Sequence, residues 1–285
     1  MVIIVKLYSL IMRATIVIPT YKESSNISRL IESTRDHLTD SGNELHFVVV
    51  DDNSPDGTAD VVKDMARKQK DVHLILRPTK MGLGSAYTDA FRWILVNLPS
   101  SDVVVQMDAD LSHPPELVQK MIDAIGEGAD FVIASRYVGM GGGVDSWPLR
   151  RRLISKGANT LARLFLGIRI KDITSGFRAI KIDIIRELLA SNLSSKGYEY
   201  QVESAYAVSK LGKGGRKNNN KRAVVVEVPF VFRNRVSGES KLTMKEILRF
   251  IKTVVFLRMN ALLAPLTEKK EEIPRILSRL EHKRR

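Results

Sequence analysis

Short apolar runs alternate with amphipathic stretches along most of the chain. The runs are rich in β-branched residues, and they fall at 15–18, 47–50, 72–76, 103–107, 131–134 and 224–228. Between them, apolar residues recur at helical spacing near 25–38, 58–69, 84–97 and 115–125. Strands that alternate with helices indicate βαβ units. The pattern therefore predicts an α/β fold in which helices flank a mostly parallel sheet.

Beyond residue 135 the pattern changes. A glycine-rich run at 139–143 leads into a basic amphipathic helix that opens at Pro148, and 212–222 is typical of a basic surface loop. A second basic helix is predicted from residue 243. Its apolar residues recur on one face, and they are Ile247, Phe250, Ile251, Val254 and Leu257. Such a helix suits a membrane interface, although the same face could instead pack on the rest of the protein.

Composition narrows the range of partners. The 285 residues are 44% hydrophobic, contain no cysteine and carry a formal net charge of +13. The absence of cysteine excludes disulfides and thiolate metal sites. The positive charge favours anionic partners, which include nucleic acid, phosphorylated small molecules and acidic lipid surfaces. No recognised nucleic-acid-binding motif accompanies the charge, so we expect no nucleic-acid partner.

Two carboxylates follow the strand predicted at 103–107. Asp108 and Asp110 are separated by one residue, and their hard oxygen ligands suit Mg²⁺ or Mn²⁺. Such a pair can also be a solvated turn, but here it lies between an apolar strand and a helix start marked by prolines. We predict that it holds a cation that neutralises a leaving diphosphate. His113 is either a further ligand or a structural residue at the helix entrance.

Polar residues also follow the other early strands. In open α/β sheets, ligands bind beyond the carboxyl ends of the strands. Asp51 and Asp52 end the second predicted strand and can hydrogen-bond a base or a ribose. Tyr21 can stack on or hydrogen-bond a ligand at the same edge, and Glu23 can accept a hydrogen bond from a base or a ribose. Lys80 precedes two glycines at a helix start, where backbone amides can bind phosphate.

Basic residues are more numerous than one metal-bound diphosphate requires, although some of them must be ordinary solvated charges. The candidates are Arg136, Arg150, Arg151, Arg152, Arg178, Arg233, Arg235 and Lys241. A second phosphate group, carried by the acceptor, would account for the excess.

Together these residues resemble the dolichol-phosphate mannosyltransferase group of family 2 glycosyltransferases, which have the GT-A fold. The motifs that carry the resemblance are, in chain order, VIPTYKE (17–23), VVDDNSPDGT (49–58), RPTKMGLGSAY (77–87), MDADLSHPPE (107–116), ASRYVGMGGG (134–143), WPLRRRLISKGAN (147–159), DITSGFRAI (172–180) and RVSGESKL (235–242). The resemblance thus covers most of the chain.

The resemblance implies transfer of mannose from GDP-mannose to dolichyl or another polyprenyl phosphate. The residues that it implicates are Pro19, Tyr21, Glu23 and Asp52 for the donor, Asp108 and Asp110 for the metal, and Arg136, an arginine of 150–152, and Arg233 or Lys241 for phosphate. We take Asp110, Arg136 and Arg150 as the catalytic candidates and Lys80 as a further donor contact. Some relatives have glutamine where this chain has Ser112, and that glutamine can serve as a third metal ligand. Serine is shorter, so a water can take the place of that ligand here.

The acceptor determines the expected mechanism. A lipid monophosphate has a second pKa of about 6, so it is largely a dianion at neutral pH and needs no general base. Attack opposite the nucleotide predicts inversion at the anomeric carbon. Two alternatives stay open. The same fold could use UDP-glucose or another nucleotide-sugar with dolichyl or undecaprenyl phosphate, or the chain could be a non-catalytic subunit that binds nucleotide-sugar.

These expectations divide the chain into four parts. They are an N-terminal extension at 1–12, a GT-A catalytic domain at 13–242, an amphipathic membrane-interface helix at 243–265 and a charged tail at 266–285. No apolar run reaches the length of about 18 residues that a membrane span needs. We therefore expect peripheral attachment to the cytoplasmic face of a membrane, with room for a separate membrane-anchoring subunit.

Overall fold

The computed structural model describes residues 11–139, 141–145, 147–191, 193–211, 222–233 and 248–263. Within these residues the strands are β1 (Arg13–Thr20), β2 (Glu44–Asp51), β3 (Val72–Leu76), β4 (Val103–Gln106), β5 (Phe131–Ser135), β6 (Gly143–Val144), β7 (Arg178–Lys181), β8 (Val225–Pro229) and β9 (Val231–Phe232). Seven of them form a central sheet in the order β3-β2-β1-β4-β7-β5-β8, and β6 pairs with β9.

Eight α-helices are present in the described residues. They are α1 (Ile27–Leu38), α2 (Thr58–Lys68), α3 (Leu83–Asn97), α4 (Leu117–Gly126), α5 (Leu149–Leu166), α6 (Ile182–Ala190), α7 (Tyr200–Lys210) and α8 (248–263). The predicted α/β fold with a mostly parallel sheet is confirmed, because all six predicted strands and all four early helices are observed.

The central sheet separates two apolar clusters. Because side chains alternate across a strand, Ile16 and Ile18 of β1 lie in one cluster and Val17 lies in the other. Helices α1, α2 and α4 pack on the first face, whereas α3, α5, α6, α7 and α8 contribute buried residues to the second. Both faces are covered, which explains why the strands are apolar throughout.

Strand β7 departs from the parallel order. It runs antiparallel to its neighbours β4 and β5, and Gln106 of β4 pairs with Arg178 of β7. Its four residues begin with Arg178 and end with Lys181, so no apolar run marks it in the sequence. Because β7 is antiparallel, its amino-terminal end lies at the same sheet edge as the carboxyl end of β4.

The first described residues pack against the sheet. Residues 1–10 lie outside the described residues, but Met12 packs into the first apolar cluster. Its backbone N–H donates to Asn43 Oδ1 at 2.9 Å, and its carbonyl accepts from the backbone N–H of Glu44. Met12 therefore packs against the sheet directly before β1, which begins at Arg13.

Helix α8 buries part of the apolar face that we predicted to meet a membrane. Val254 and Leu257 are buried in the second cluster, and Phe250 is half-buried beside it. The stripe predicted to face a membrane thus packs largely on the catalytic domain, because that domain presents an apolar surface to it. Ile251 is exposed, while Ile247 and the charged tail lie outside the described residues. Among the helices that the structure describes, none is long and apolar enough to cross a bilayer.

Candidate active site

The loops after β1, β2 and β4 meet at one edge of the sheet, and each contains a residue with unusual backbone geometry. Lys22, Asn53 and Leu111 have positive φ angles of 64°, 54° and 60°. Side-chain-bearing residues rarely adopt this conformation, and such strained residues cluster at functional sites. The edge therefore has the backbone signature of a binding site, which the residue pattern alone does not reveal.

The predicted carboxylate pair lies in the loop after β4. Asp110 is buried, and its Oδ1 accepts from the backbone N–H of Ser112 at 3.1 Å and from the Ser112 hydroxyl at 2.6 Å. Asp108 remains about one-third exposed at its side chain, 30%. Ser112 therefore orients Asp110.

The pair fits a divalent cation that takes its remaining ligands from a substrate and from water. No cluster of three or more histidine or carboxylate side chains with metal-binding geometry occurs in the described part of the chain. Mg²⁺ is commonly held by one or two carboxylates, with substrate phosphates and water at its other positions. Asp108 and Asp110 would supply the protein ligands in such an arrangement.

His113 has a structural role beside the pair. Its Nδ1 accepts the backbone N–H of Asp108 at 3.0 Å, so the ring proton is on Nε2, which lies 3.8 Å from Asp108 Oδ2. The ring stacks on Phe177 with the centroids 4.7 Å apart. His113 therefore holds the loop in place, and in this tautomer it presents no lone pair to a metal.

The two aspartates that end β2 have different environments. Asp51 is buried and accepts hydrogen bonds from the Thr20 hydroxyl at 2.8 Å and from the Ser54 backbone and hydroxyl. Its oxygens thus join the loops after β1 and β2. Asp52 instead forms an ion pair with buried Arg77, whose Nε lies 2.5 Å from Asp52 Oδ1. Asp52 is the better placed of the two to meet a donor base or ribose.

The other residues that we predicted to contact the donor lie at the end of β1, in the loop after it and before α3. Pro19 is half-buried near the end of β1, and Tyr21 follows it with the Lys80 ammonium 4.1 Å from its ring centroid. Glu23 accepts from the Asn26 side chain at 2.8 Å, while its backbone N–H donates to the Thr58 hydroxyl. The loops after β1 and β2 and the residues before α3 therefore form one continuous surface.

Arg136 lies at the end of β5 and is bound by a buried carboxylate. Its Nε and Nη2 donate to the two oxygens of Asp172 at 2.7 and 2.6 Å, and Nη2 also donates to Thr174. Burial opposes the charge of Arg136, but Asp172 raises the pKa of the guanidinium above its usual value. Arg136 is therefore a rigid, permanently charged group.

The arginine cluster at the start of α5 divides by position. Arg151 lies over the Trp147 ring, 3.8 Å from the centroid, and Arg136 lies over the same ring at 5.8 Å. Arg150 and Arg152 are exposed on the outer side of the helix start. Of the three, Arg151 is the one that shares an aromatic platform with Arg136.

A cavity of about 250 Å³ connects Asp108 with Arg136 and Arg151, and we call it the active-site cavity. Its polar lining includes Asp108, Arg136, Arg151, Thr174, Ser175 and Gln201. Its apolar lining includes Trp147, Ile154, Ala158, Val202, Phe230, Phe232 and Phe250. A cavity with cations at one part and apolar walls at another suits an amphiphilic ligand that bears a phosphate.

Two further predicted cations of the described residues, Arg233 and Arg178, lie outside the cavity lining, while Arg235 is not among the described residues. Arg233 is exposed after β9 and pairs with Glu116 at 2.6 Å, next to the loop that bears Asp110. Arg178 is fully buried, and its Nη groups donate to Ser204 and to the carbonyls of Ile173 and Gln201, so its role is structural. Lys241 lies outside the described residues.

The sequence did not single out four of the residues that build the site. They are Arg77, Trp147, Asp172 and Gln201. Arg77, Trp147 and Asp172 stand in motifs that carry the family resemblance, and that position is the signal that could have found them. Gln201 has no such signal, because it precedes no turn and follows no strand.

Comparison with known proteins places these motifs in a family. The model of the family described as "Glycosyl transferase family 2" matches residues 15–189. The chain is 40% identical over 232 residues to a polyprenol monophosphomannose synthase of Mycolicibacterium smegmatis, covering 81% of each chain. It is 39% identical over 232 residues to an undecaprenyl-phosphate mannosyltransferase of Micrococcus luteus, covering 81% of this chain and 88% of the relative.

A third relative is longer than the matched region. The chain is 40% identical over 245 residues to a dolichol-phosphate mannosyltransferase of Pyrococcus furiosus, covering 85% of this chain but 63% of the relative. The fold also matches the crystal structure of mannosyl-3-phosphoglycerate synthase from Rubrobacter xylanophilus, with a TM-score of 0.59, 20% identity and coverage of 90% and 75%.

A second solved structure was determined with metal and donor bound. It is glucosyl-3-phosphoglycerate synthase from Mycobacterium tuberculosis in complex with Mn²⁺, UDP-glucose and phosphoglyceric acid, with a TM-score of 0.57, 18% identity and coverage of 87% and 80%. Together with the carboxylate pair and the sheet topology, these matches show that the chain is a glycosyltransferase that belongs to family 2.

Proposed function

We propose that this chain transfers mannose from GDP-mannose to dolichyl or another polyprenyl phosphate, with inversion at the anomeric carbon. The observation that carries the proposal is the active-site cavity, which joins the carboxylate Asp108 to two arginines and to apolar walls. Three relatives at 39–40% identity bear the names of polyprenol-, undecaprenyl- or dolichol-phosphate mannosyl enzymes, which supports the same acceptor class.

The donor would lie along the loops after β1, β2 and β4. Asp52 and Glu23 would accept hydrogen bonds from the base or the ribose, and Tyr21 with Lys80 would border the nucleotide. Asp108 and Asp110 would hold Mg²⁺ or Mn²⁺ against the diphosphate. The cation, when bound, would neutralise the negative charge that develops on the departing nucleotide.

The acceptor phosphate would lie beside Arg136 and Arg151. Both guanidinium groups lie over the face of Trp147, and both arginines line the cavity. A lipid monophosphate is largely dianionic at neutral pH, so the protein needs to orient it rather than deprotonate it. Attack from the arginine side, opposite the diphosphate, gives inversion.

Peripheral attachment to the cytoplasmic leaflet would bring this cavity to the acceptor. Ile154 of α5 and Phe250 of α8 line the cavity, and both helices expose apolar side chains beside it. We call this exposed set the interface surface. Its members are Leu149, Leu153, Ile154, Leu161, Leu164 and Phe165 of α5, and Leu248, Ile251, Val255, Phe256, Met259 and Leu262 of α8. Large exposed apolar patches mark interaction sites, and a lipid acceptor favours a membrane here.

One experiment tests the proposed reaction directly. The protein is incubated with a short-chain polyprenyl phosphate and either GDP-mannose or UDP-glucose, with and without Mn²⁺, and the lipid product is identified by mass spectrometry and anomeric NMR. We expect a β-linked mannosyl lipid phosphate from an α-linked donor, and we expect it only in the reactions that contain Mn²⁺. A glucosyl product, a retained anomeric configuration or the absence of any lipid product would contradict the proposal.

A further inference from the structure

Gln201 is a buried polar residue whose side chain has no hydrogen-bond partner in the structure. It lies in the first turn of α7, is 2% exposed, and lines the active-site cavity. Neither its amide nitrogen nor its amide oxygen is bonded. Most buried polar groups in proteins are paired, because an unpaired one loses its hydrogen bonds to water without replacement. An unpaired amide beside a catalytic cavity therefore points to a ligand.

The backbone of Gln201 is held firmly. Its carbonyl oxygen accepts from Arg178 Nη2 at 2.7 Å, and the same guanidinium binds the Ser204 hydroxyl and the Ile173 carbonyl. Its own N–H donates to the Tyr198 carbonyl at 3.1 Å. The buried arginine thus anchors the start of α7, and the amide is presented from a rigid element.

The amide lies close to the predicted metal ligands. A Cβ on Gly176 would be 3.3 Å from Gln201 Nε2 and 3.9 Å from Asp108 Oδ1. Gly176, Gln201 and Asp108 all line the active-site cavity, and a side chain at Gly176 would press on the Gln201 amide. Two residues earlier, Thr174 contacts Arg136.

Segment 174–176 therefore runs from the proposed acceptor-phosphate site to the proposed diphosphate site. Three residues span at most about 10 Å, so a group no larger than about one sugar ring separates the two phosphates. In a displacement reaction the transferred sugar lies between the leaving diphosphate and the attacking phosphate. The group next to Gln201 is therefore the hexose.

We propose that Gln201 is a specificity-determining residue that recognises hydroxyl groups of the transferred hexose. A carboxamide donates and accepts hydrogen bonds, as two sugar hydroxyls also do. A phosphate only accepts, so it would leave the amide oxygen unpaired. Ser175, which is buried in the same cavity with an unbonded hydroxyl, supplies a second group of this kind. This inference rests on the proposed function and adds the residue that recognises the sugar.

The test compares a nucleotide with its nucleotide-sugar. GDP and GDP-mannose are titrated calorimetrically into wild type and Gln201→Met, which keeps the length of the side chain. We expect the affinity for GDP-mannose to fall about tenfold, the effect of losing one or two hydrogen bonds, while the affinity for GDP is unchanged. We also expect the melting temperature to stay the same or rise, because an unpaired polar group is removed.

Gln119→Leu is the matched control. Gln119 bonds to Asp123 and Asn43 outside the cavity, so its replacement should leave both affinities unchanged. Gln201→Leu, which also removes the amide and adds no charge beside Asp108, repeats the comparison if the methionine variant does not fold. Equal losses of GDP and GDP-mannose affinity, or a lowered melting temperature with intact sugar binding, would overturn the inference.

Failure of the proposed function gives a different result. If wild type transfers glucose from UDP-glucose instead, the mannosyl proposal fails, and the same comparison with UDP and UDP-glucose decides the role of Gln201.

Discussion

Arg77 and Asp52 form a buried ion pair at the carboxyl end of β2, where the proposed donor base or ribose would bind. The same guanidinium donates to the Ser85 hydroxyl at 2.7 Å, to the Gly82 carbonyl at 3.0 Å and to Asp89 at 3.3 Å. One arginine therefore connects the end of β2 to the start of α3. It fixes the orientation of the Asp52 carboxylate before any ligand arrives.

We expect Arg77→Met to lower the free energy of unfolding by about 3 kcal/mol, because it leaves a buried carboxylate without its cation. Affinity for GDP should fall as well, since Asp52 would lose its fixed orientation. Urea unfolding and calorimetry measure the two effects. Arg35→Met is the control, because Arg35 pairs with Asp71 near the surface and should cost at most about 1 kcal/mol. Equal unfolding midpoints for the two variants would contradict the prediction.

Asp108 and Asp110 should both be required for turnover. We expect Asp108→Ala and Asp110→Ala each to reduce the rate at least about a hundredfold, because the leaving diphosphate loses its electrostatic stabilisation. Asp60→Ala, at an exposed carboxylate of α2, should retain the wild-type rate. Steady-state assays with Mn²⁺ and with EDTA make the comparison, and full activity in EDTA would refute metal dependence.

Arg151 should contribute more to acceptor binding than its neighbours in the sequence. We expect Arg151→Ala to raise the KM for polyprenyl phosphate about tenfold or more, in line with the loss of a charged hydrogen bond, without changing the affinity for GDP. Arg150→Ala and Arg152→Ala should have smaller effects, because both side chains are exposed outside the cavity. Assays in detergent with a short-chain acceptor separate these effects from membrane binding.

Lys156→Ala, an exposed replacement on the same helix, provides the baseline for that series. A KM effect that is largest at Arg150 would assign the phosphate contact to that residue instead. A matching loss of GDP affinity in Arg151→Ala would show that the arginine serves the donor.

The interface surface should bind anionic membranes reversibly. We expect the Val255→Glu/Phe256→Glu variant to lose flotation with anionic liposomes, because it places two charges on the exposed face of α8. Wild-type flotation should weaken with salt, since basic residues near an anionic leaflet each add about 1 kcal/mol that is screened. Val96→Glu, at an exposed apolar residue of α3, should float as wild type does. Equal flotation of all three proteins would exclude this surface as the anchor.

The strands were predictable because a parallel strand covered on both faces must be apolar at every position, as Val103–Gln106 nearly is. The carboxylate pair was predictable because its chemistry depends on local spacing and on the strand before it. The Arg77–Asp52 pair, the Arg136–Asp172 pair and the environment of Gln201 depend on residues far apart in sequence. The sequence left open whether the apolar stripe of α8 meets the core or a membrane for a related reason, since helical spacing alone does not say which stripe packs on the domain.

The position of β7 also has a consequence for how the chain folds as it is synthesised. Strands β4 and β5 are made first, but the sheet order places β7 between them. Until residues 178–181 emerge, both strands keep an unpaired edge, and such edges pair readily with other chains. The two halves of the sheet therefore cannot join before β7 arrives. A nascent chain paused shortly before residue 178 would keep the edges of β4 and β5 open to pairing with other chains.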